Sequence, residues 1–191
     1  MSIFTARERT RGFTLVELMV AALLGGLVLT GVLATNLQLM RSGVRVTQYA
    51  EMSSQVRRAF EQLEGDLKSA SAIVWNNASD ITLTIPTTAA GTRQVTYAWT
   101  SATQSFFMVA GASSAVTTGR VFLANGIPTR SDGSAGVTFA RYDLAGNAAT
   151  TDAATKRVQV SMNVVRTART AATSTDTAVS AIFILRNKPV S

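Results

Sequence analysis

Histidine and cysteine are both absent from the 191 residues. Without them the chain holds no Ser-His-Asp or Cys-His nucleophile pair, no thiolate or imidazole zinc site, and no haem or iron–sulfur ligation through those side chains. No disulfide forms either. A chain without thiols is at home in both redox environments, so the missing cysteines leave the compartment open. Charge is sparse as well: 15% of residues are charged against 47% hydrophobic, and the mean hydropathy is +0.21, too apolar for a disordered chain. Acid is the scarcer sign, with 11 Asp+Glu against 18 Lys+Arg and a formal charge of +7. The length suits one domain. Composition leaves carboxylate, Ser/Lys and Tyr chemistry open, yet no paired carboxylates stand in a catalytic setting. The expectation is a chain that is not an enzyme, with no cofactor and no metal.

The hydrophobicity is concentrated at one end. Residues 1–12, MSIFTARERTRG, are short and basic, with Arg7, Arg9 and Arg11 against Glu8. From Phe13 to Ala34 the run FTLVELMVAALLGGLVLTGVLA carries one charge, Glu17, and two hydroxyls, Thr14 and Thr30. As a helix those residues would span roughly 33 Å, which matches a hydrocarbon core of about 30 Å. The basic flank places residues 1–12 in the cytoplasm and everything after Ala34 outside. Glu17 separates the readings of this run. A secretory signal cut after Val32-Leu33-Ala34 normally has no carboxylate in its apolar stretch. In a plain signal anchor Glu17 would be an accident, although an isolated acid in a membrane helix costs about 2.5–3.5 kcal/mol at mid-depth and is usually functional.

The hexapeptide Gly12-Phe13-Thr14-Leu15-Val16-Glu17 resembles the class III signal of type IV pilins and type II secretion pseudopilins. In that family a short basic leader ends in Gly, cleavage falls before Phe, and Glu occupies the fifth mature position. The resemblance covers residues 7 to about 40. It implies a cut between Gly12 and Phe13 by the prepilin peptidase, followed by N-methylation of Phe13. It also implies assembly through the N-terminal helix with other minor and major pilins or pseudopilins, on an inner-membrane platform and out of the lipid bilayer. Glu17 lies four residues beyond Phe13, one helical turn along the same face. The Glu17 carboxylate of one subunit meeting the Phe13 amine of the next would set register, strongly so in low dielectric. Loss of residues 1–12, three Arg and one Glu, takes the formal charge from +7 to +5. The proline that many members carry near mature position 22 is replaced by Ala34, which argues against a proline kink.

The helix is expected to continue. No proline interrupts Asn36 to Ala70, and Tyr49, Met52, Val56, Phe60, Leu63 and Leu67 recur at helical spacing as a core face. Arg57/Glu61 and Glu64/Lys68 are opposite charges at i, i+4. Gly25, Gly26, Gly31 and Gly43 are weak points in the helix. After residue 70 the period becomes 2. Strands are expected at Ile81–Ile85, Val95–Trp99, 105–110, 119–124, 136–143, 156–165 and 179–186. They are separated by the turn or loop links TTAAGTR, NGIPTRSDGSAG and RTARTAATSTDT. No strand is followed by a helical pattern, so the sheet should be mainly antiparallel. The expected fold is α+β and pilin-like, one long N-terminal helix packed on a mainly antiparallel β-sheet head. Its segments are a leader (1–12), a transmembrane or filament-core helix (13–35), an amphipathic half (36–70) and a periplasmic or extracellular β-rich head (71–191). The helix end EQLEGDLKSAS, the strand VTYAW, the strand and turn FARYDLAGN, the strand KRVQVSM and a final strand closing in Leu185-Arg186-Asn187 resemble the J-type pseudopilin and the W-type minor pilin.

The remaining polar features have plain explanations. Asp132-Gly133 and Asp143-Leu144-Ala145-Gly146-Asn147 suit turns better than Ca²⁺ loops. Arg120, Arg130, Arg141, Arg157, Arg166 and Arg169 suit a solvated surface better than a nucleic-acid track, since no Arg/aromatic interleaving accompanies them. Trp75, Trp99 and Phe106-Phe107 read as core or subunit interface. The functional expectation is a minor pilin or pseudopilin that primes or caps a type IV pilus or a type II secretion pseudopilus. The alternatives are a major filament subunit and, in a different class, a membrane-tethered module contacting DNA or a secreted substrate.

Overall fold

The computed structural model describes residues 12–88, 91–166 and 175–189. The leader up to Arg11, residues 89–90 of the first link, and residues 167–174 of the last link, with Arg169, lie outside the described residues. The chain divides into two compact units, one ending at Val46 and one beginning at Thr47.

The first unit is helical. Helix α1 (Leu15–Ser69) begins here, on a run rich in Leu, Ala, Met and Val with no proline. Its large apolar side chains are exposed all round, from Leu15 at 79% to Met40 at 66%. The two threonines in this stretch satisfy themselves: the Thr30 hydroxyl donates to the Gly26 carbonyl at 2.8 Å and the Thr35 hydroxyl to the Gly31 carbonyl at 2.9 Å. A helix whose polar groups all bond within it tolerates an apolar surround.

In the second unit α1 is amphipathic. Met52, Val56, Ala59, Leu63 and Leu67 are buried, at steps of four, three, four and four. Two members of the expected stripe behave differently. Tyr49 is half exposed and Phe60 only partly buried, while Ala59, with its smaller side chain, takes the core position. On the outer face Arg57 Nε meets Glu61 at 2.7 Å and Lys68 pairs with Glu64. The helix ends at Ser69, whose carbonyl accepts from Asn187 Nδ2 at 3.2 Å.

Eight strands follow: β1 (Ala72–Asn77), β2 (Asp80–Pro86), β3 (Thr92–Thr100), β4 (Ser105–Ala110), β5 (Val121–Asn125), β6 (Val137–Tyr142), β7 (Arg157–Arg166) and β8 (Thr175–Ile184). Their pairings, all antiparallel, make two meanders, a five-stranded sheet β1-β2-β3-β4-β5 and a three-stranded sheet β6-β7-β8. The fold is thus α+β, with one long N-terminal helix and antiparallel sheets. One strand, β1, has no counterpart in the sequence reading. Ala72–Asn77 offers four consecutive apolar residues, Ala72-Ile73-Val74-Trp75, and no alternation.

Both sheets and the helix share one core, in which Leu63 and Leu67 of α1 join Ile81, Leu83, Tyr97, Phe106, Phe139 and Val158. The sheets are stitched by main-chain bonds at their junction. Phe139 N–H donates to the Ala78 carbonyl at 2.6 Å and Val165 N–H to the Gly126 carbonyl at 3.0 Å. Trp99 Nε1 donates to the Ile127 carbonyl at 2.9 Å. Gly136 lies so close to this strap that a Cβ would run into the Pro128 carbonyl oxygen and the Ile127 side chain. A second, small cluster of Ala98, Phe107 and Val109 forms on the other face of the five-stranded sheet. It is covered by Arg120, whose guanidinium lies 4.3 Å from the Phe107 ring centroid.

Candidate functional site

The residues expected to carry function at the N-terminus, Gly12, Phe13 and Glu17, fall at the start of α1. Gly12 and Phe13 precede the first helical turn and are exposed, Phe13 at 87%. The peptide bond between them therefore lies in non-helical chain. Thr14 is the N-cap and Glu17 the third helical residue. Thr14 N–H donates to Glu17 Oε2 at 2.9 Å, and Glu17 N–H donates to Thr14 Oγ1 at 3.2 Å. The Thr14 hydroxyl adds a bond to the same Oε2 at 3.0 Å. This is a reciprocal capping box, which satisfies two of the donors left free at a helix start. The signature T-x-x-E stands in the sequence as Thr14-Leu15-Val16-Glu17, and the sequence reading gave Glu17 an intersubunit role without noticing it.

The box and the expected assembly role would use the same carboxylate differently. In the chain as it stands, one oxygen, Oε2, accepts both Thr14 bonds. A cleaved chain would add a cation, the Phe13 amine, at the helix end where the macrodipole is already positive. A carboxylate in the first turn offsets that charge, whether its partner is its own chain or a neighbour.

A buried polar cluster in the head escaped sequence reading. Asp66, on the buried face of α1, accepts the Tyr97 hydroxyl at 2.6 Å and Arg93 Nη2 at 2.7 Å, both from β3. Burial, and then the bond to the Asp66 carboxylate, push the Tyr97 hydroxyl well above its ordinary range. The cluster fastens α1 to the five-stranded sheet. No local pattern announces a pair 31 residues apart.

The two Asp loops are turns. Asp132 Oδ1 accepts Ser134 N–H at 2.8 Å beside Gly133, whose φ is +81°. Asp143 Oδ1 accepts the N–H groups of Gly146 and Asn147 at 2.7 and 2.8 Å. The bonds from Ser134 and from the Asn147 backbone hold the respective carboxyls below their usual range. Among the described residues, three of the arginines singled out from sequence are engaged within the chain. Arg120 donates to the Val116 and Ser114 carbonyls, Arg141 to Asp152 and the Thr150 carbonyl, and Arg157 to the Leu144 carbonyl. Phe106 and Phe107 are buried, while Trp75 and Trp99 pack partly buried against the main core.

Compared with known families, residues 7–33 match the family described as the prokaryotic N-terminal methylation motif. No curated protein matches the chain. The motif and the apolar helix that it opens support a pilin-like structural subunit rather than an enzyme, with a type IV pilin-like signal. The motif implies processing by a prepilin peptidase and assembly with other pilins, and the helix is consistent with membrane anchoring.

Proposed function

We propose that this chain is a minor type IV pilin or type II secretion pseudopilin, nearest to the J-type or W-type subunits, that primes or caps filament assembly. Residues 1–12 are a leader removed after Gly12, and Phe13 becomes the methylated N-terminus. Residues 13–35 cross the inner membrane with the N-terminus cytoplasmic, and then line the filament core. Residues 36–70 carry the helix into the head, and residues 71–191 form that head in the periplasm. Glu17 sets register by meeting the Phe13 amine of a neighbouring subunit.

One observation carries the reading: the methylation motif spans the start of a long apolar helix whose leucines and valines are exposed. Burying such a side chain contributes about 1.5–3 kcal/mol, so these side chains favour lipid or neighbouring helices over water. A head that contacts DNA is the weaker alternative, because Arg120, Arg141 and Arg157 already bond within the chain. Counting copies by quantitative mass spectrometry of filaments sheared from cells tests the proposal. A few copies per filament support the minor role, and copy numbers matching the bulk filament protein assign the major one. Absence from both the membrane and the filament fraction overturns the assembly reading.

A further inference from the structure

Four strand edges bound the two sheets, and they are not equally protected. Strand β1 pairs irregularly with β2 between Trp75 and Asn77, and on its outer side the Asp152 carboxylate accepts Trp75 N–H at 3.3 Å. The outer side of β6 is used by Ala78, whose carbonyl takes Phe139 N–H, and by Ala149, whose N–H donates to the Arg141 carbonyl. Strand β5 has only five residues, pairs through an irregularity at Phe106/Phe107 and follows Arg120. These are the usual ways of blunting an edge. Strand β8 has none of them. It runs ten residues in unbroken register with β7; its one charged residue, Asp176, stands near its start, and Ala178–Ile184 holds neither a charge nor a proline. Among the described residues no strand pairs with its other side.

The register shows which groups that edge presents. Leu185 N–H donates to the Lys156 carbonyl, so the pair 156/185 is hydrogen-bonded. Alternation then makes 158/183, 160/181 and 162/179 bonded pairs. The N–H and C=O groups of Ala178, Ser180, Ile182 and Ile184 therefore point away from β7. Their side chains are exposed, Ile182 at 60% and Ile184 at 49%. The intervening Val179, Ala181 and Phe183 look the other way, into a groove of about 440 Å³ between β8 and α1. Tyr49, Met52, Val56 and Phe60 supply its helix wall. The charges on its rim are matched already, Arg57 with Glu61 and Glu64 with Lys68, so a charged occupant gains no partner there.

We propose that β8 is a strand-addition site. Its occupant is an extended, uncharged segment of another polypeptide, with small or apolar side chains on one face. That segment pairs its backbone with Ala178–Ile184 and drops alternate side chains into the groove beside Phe60 and Phe183. The unpaired backbone row calls for an extended chain rather than a helix or a small molecule, and the neutral rim calls for an uncharged one.

The test uses the full chain in a non-ionic detergent and a synthetic peptide, blocked at both ends, with the uncharged sequence of residues 158–164 of β7, in which Val158, Val160, Met162 and Val164 alternate with polar residues. A scrambled peptide of equal composition is the control. The expected result is saturable binding of the ordered peptide alone, with amide exchange at Ser180 and Ile182 slowed about tenfold or more. Ile182→Pro removes an N–H that points away from β7 and pairs with no strand among the described residues, so the fold should survive. It should weaken binding about tenfold or more, as should Ile182→Lys. Equal binding of the scrambled peptide, no saturable binding, or unchanged affinity in both variants overturns the proposal. Self-association that protects Ala178–Ile184 without peptide assigns a second copy as occupant and overturns the present one, as does protection by detergent alone. Cleavage after Gly12 is not needed for any of these outcomes, so failure here is separate from failure of the filament reading.

Discussion

Glu17→Gln and Glu17→Ala together separate two roles for one carboxylate. In the capping box, Oε2 accepts Thr14 N–H at 2.9 Å and the Thr14 hydroxyl at 3.0 Å. A glutamine at the same place keeps a carbonyl oxygen for those donors, and Gln serves in such boxes as Glu does. Alanine removes the acceptor and costs about 1 kcal/mol of helix start, roughly a fivefold change in the fraying equilibrium. Register-setting against a neighbour's amine depends on charge instead. Removing one partner from a buried pair costs about 3–5 kcal/mol, more than a hundredfold in an assembly equilibrium. The assay combines amide exchange at residues 15–18 with copy counts in sheared filaments, on wild type and both variants. Exchange should be near wild type in Glu17→Gln and faster in Glu17→Ala, while incorporation collapses in both. If Glu17→Gln enters filaments as well as wild type, Glu17 is a helix cap, and the intersubunit pair is wrong.

Three further predictions concern the rest of the chain. Tyr97→Phe removes a buried donor to Asp66 and should lower the stability of the head by about 1.5–3 kcal/mol in thermal or denaturant unfolding. Because the folded state raises the Tyr97 pKa, its contribution is intact below about pH 10 and declines above it. Wild type should therefore lose stability above pH 10 more steeply than Tyr97→Phe, and parallel curves would contradict the assignment. Gly136→Ala forces a Cβ against the Pro128 carbonyl and should destabilise the head by about 1–3 kcal/mol, whereas Gly65→Ala, with open space around it, should not. Gly25→Ala and Gly26→Ala meet nothing within 4 Å and should each stabilise the helix by about 1 kcal/mol, read as greater helicity in detergent micelles.

Where a local rule sufficed, the sequence was legible. Alternation in DITLTIP and RQVTYAW found β2 and β3, and the i, i+4 pairs Arg57/Glu61 and Glu64/Lys68 form as charge spacing suggests. Alternation does not say which strands share a sheet, so the division into five and three strands had to come from packing. Ala72–Asn77 evaded the same rule because Ile73-Val74-Trp75 reads as well for a helix end as for a strand. Tyr49 fits the helical spacing of the core face but stays half exposed, because it lines the open groove beside β8. The capping box at Thr14 and Glu17 was legible and overlooked, since a glutamate in an apolar run draws attention to the membrane first. The Asp66–Tyr97 bond joins a helix to a strand and has no local signature. At the N-terminus, Gly12, Phe13 and Glu17 were singled out from sequence alone, and the motif match at residues 7–33 covers all three positions.

The most direct test of the pilin-like account is the N-terminus of the chain recovered from cell membranes, read by Edman sequencing and intact mass. The account predicts a chain that begins at Phe13 and carries one added methyl group on its α-amine. A chain that keeps residues 1–12, or one that begins after Ala34, contradicts it.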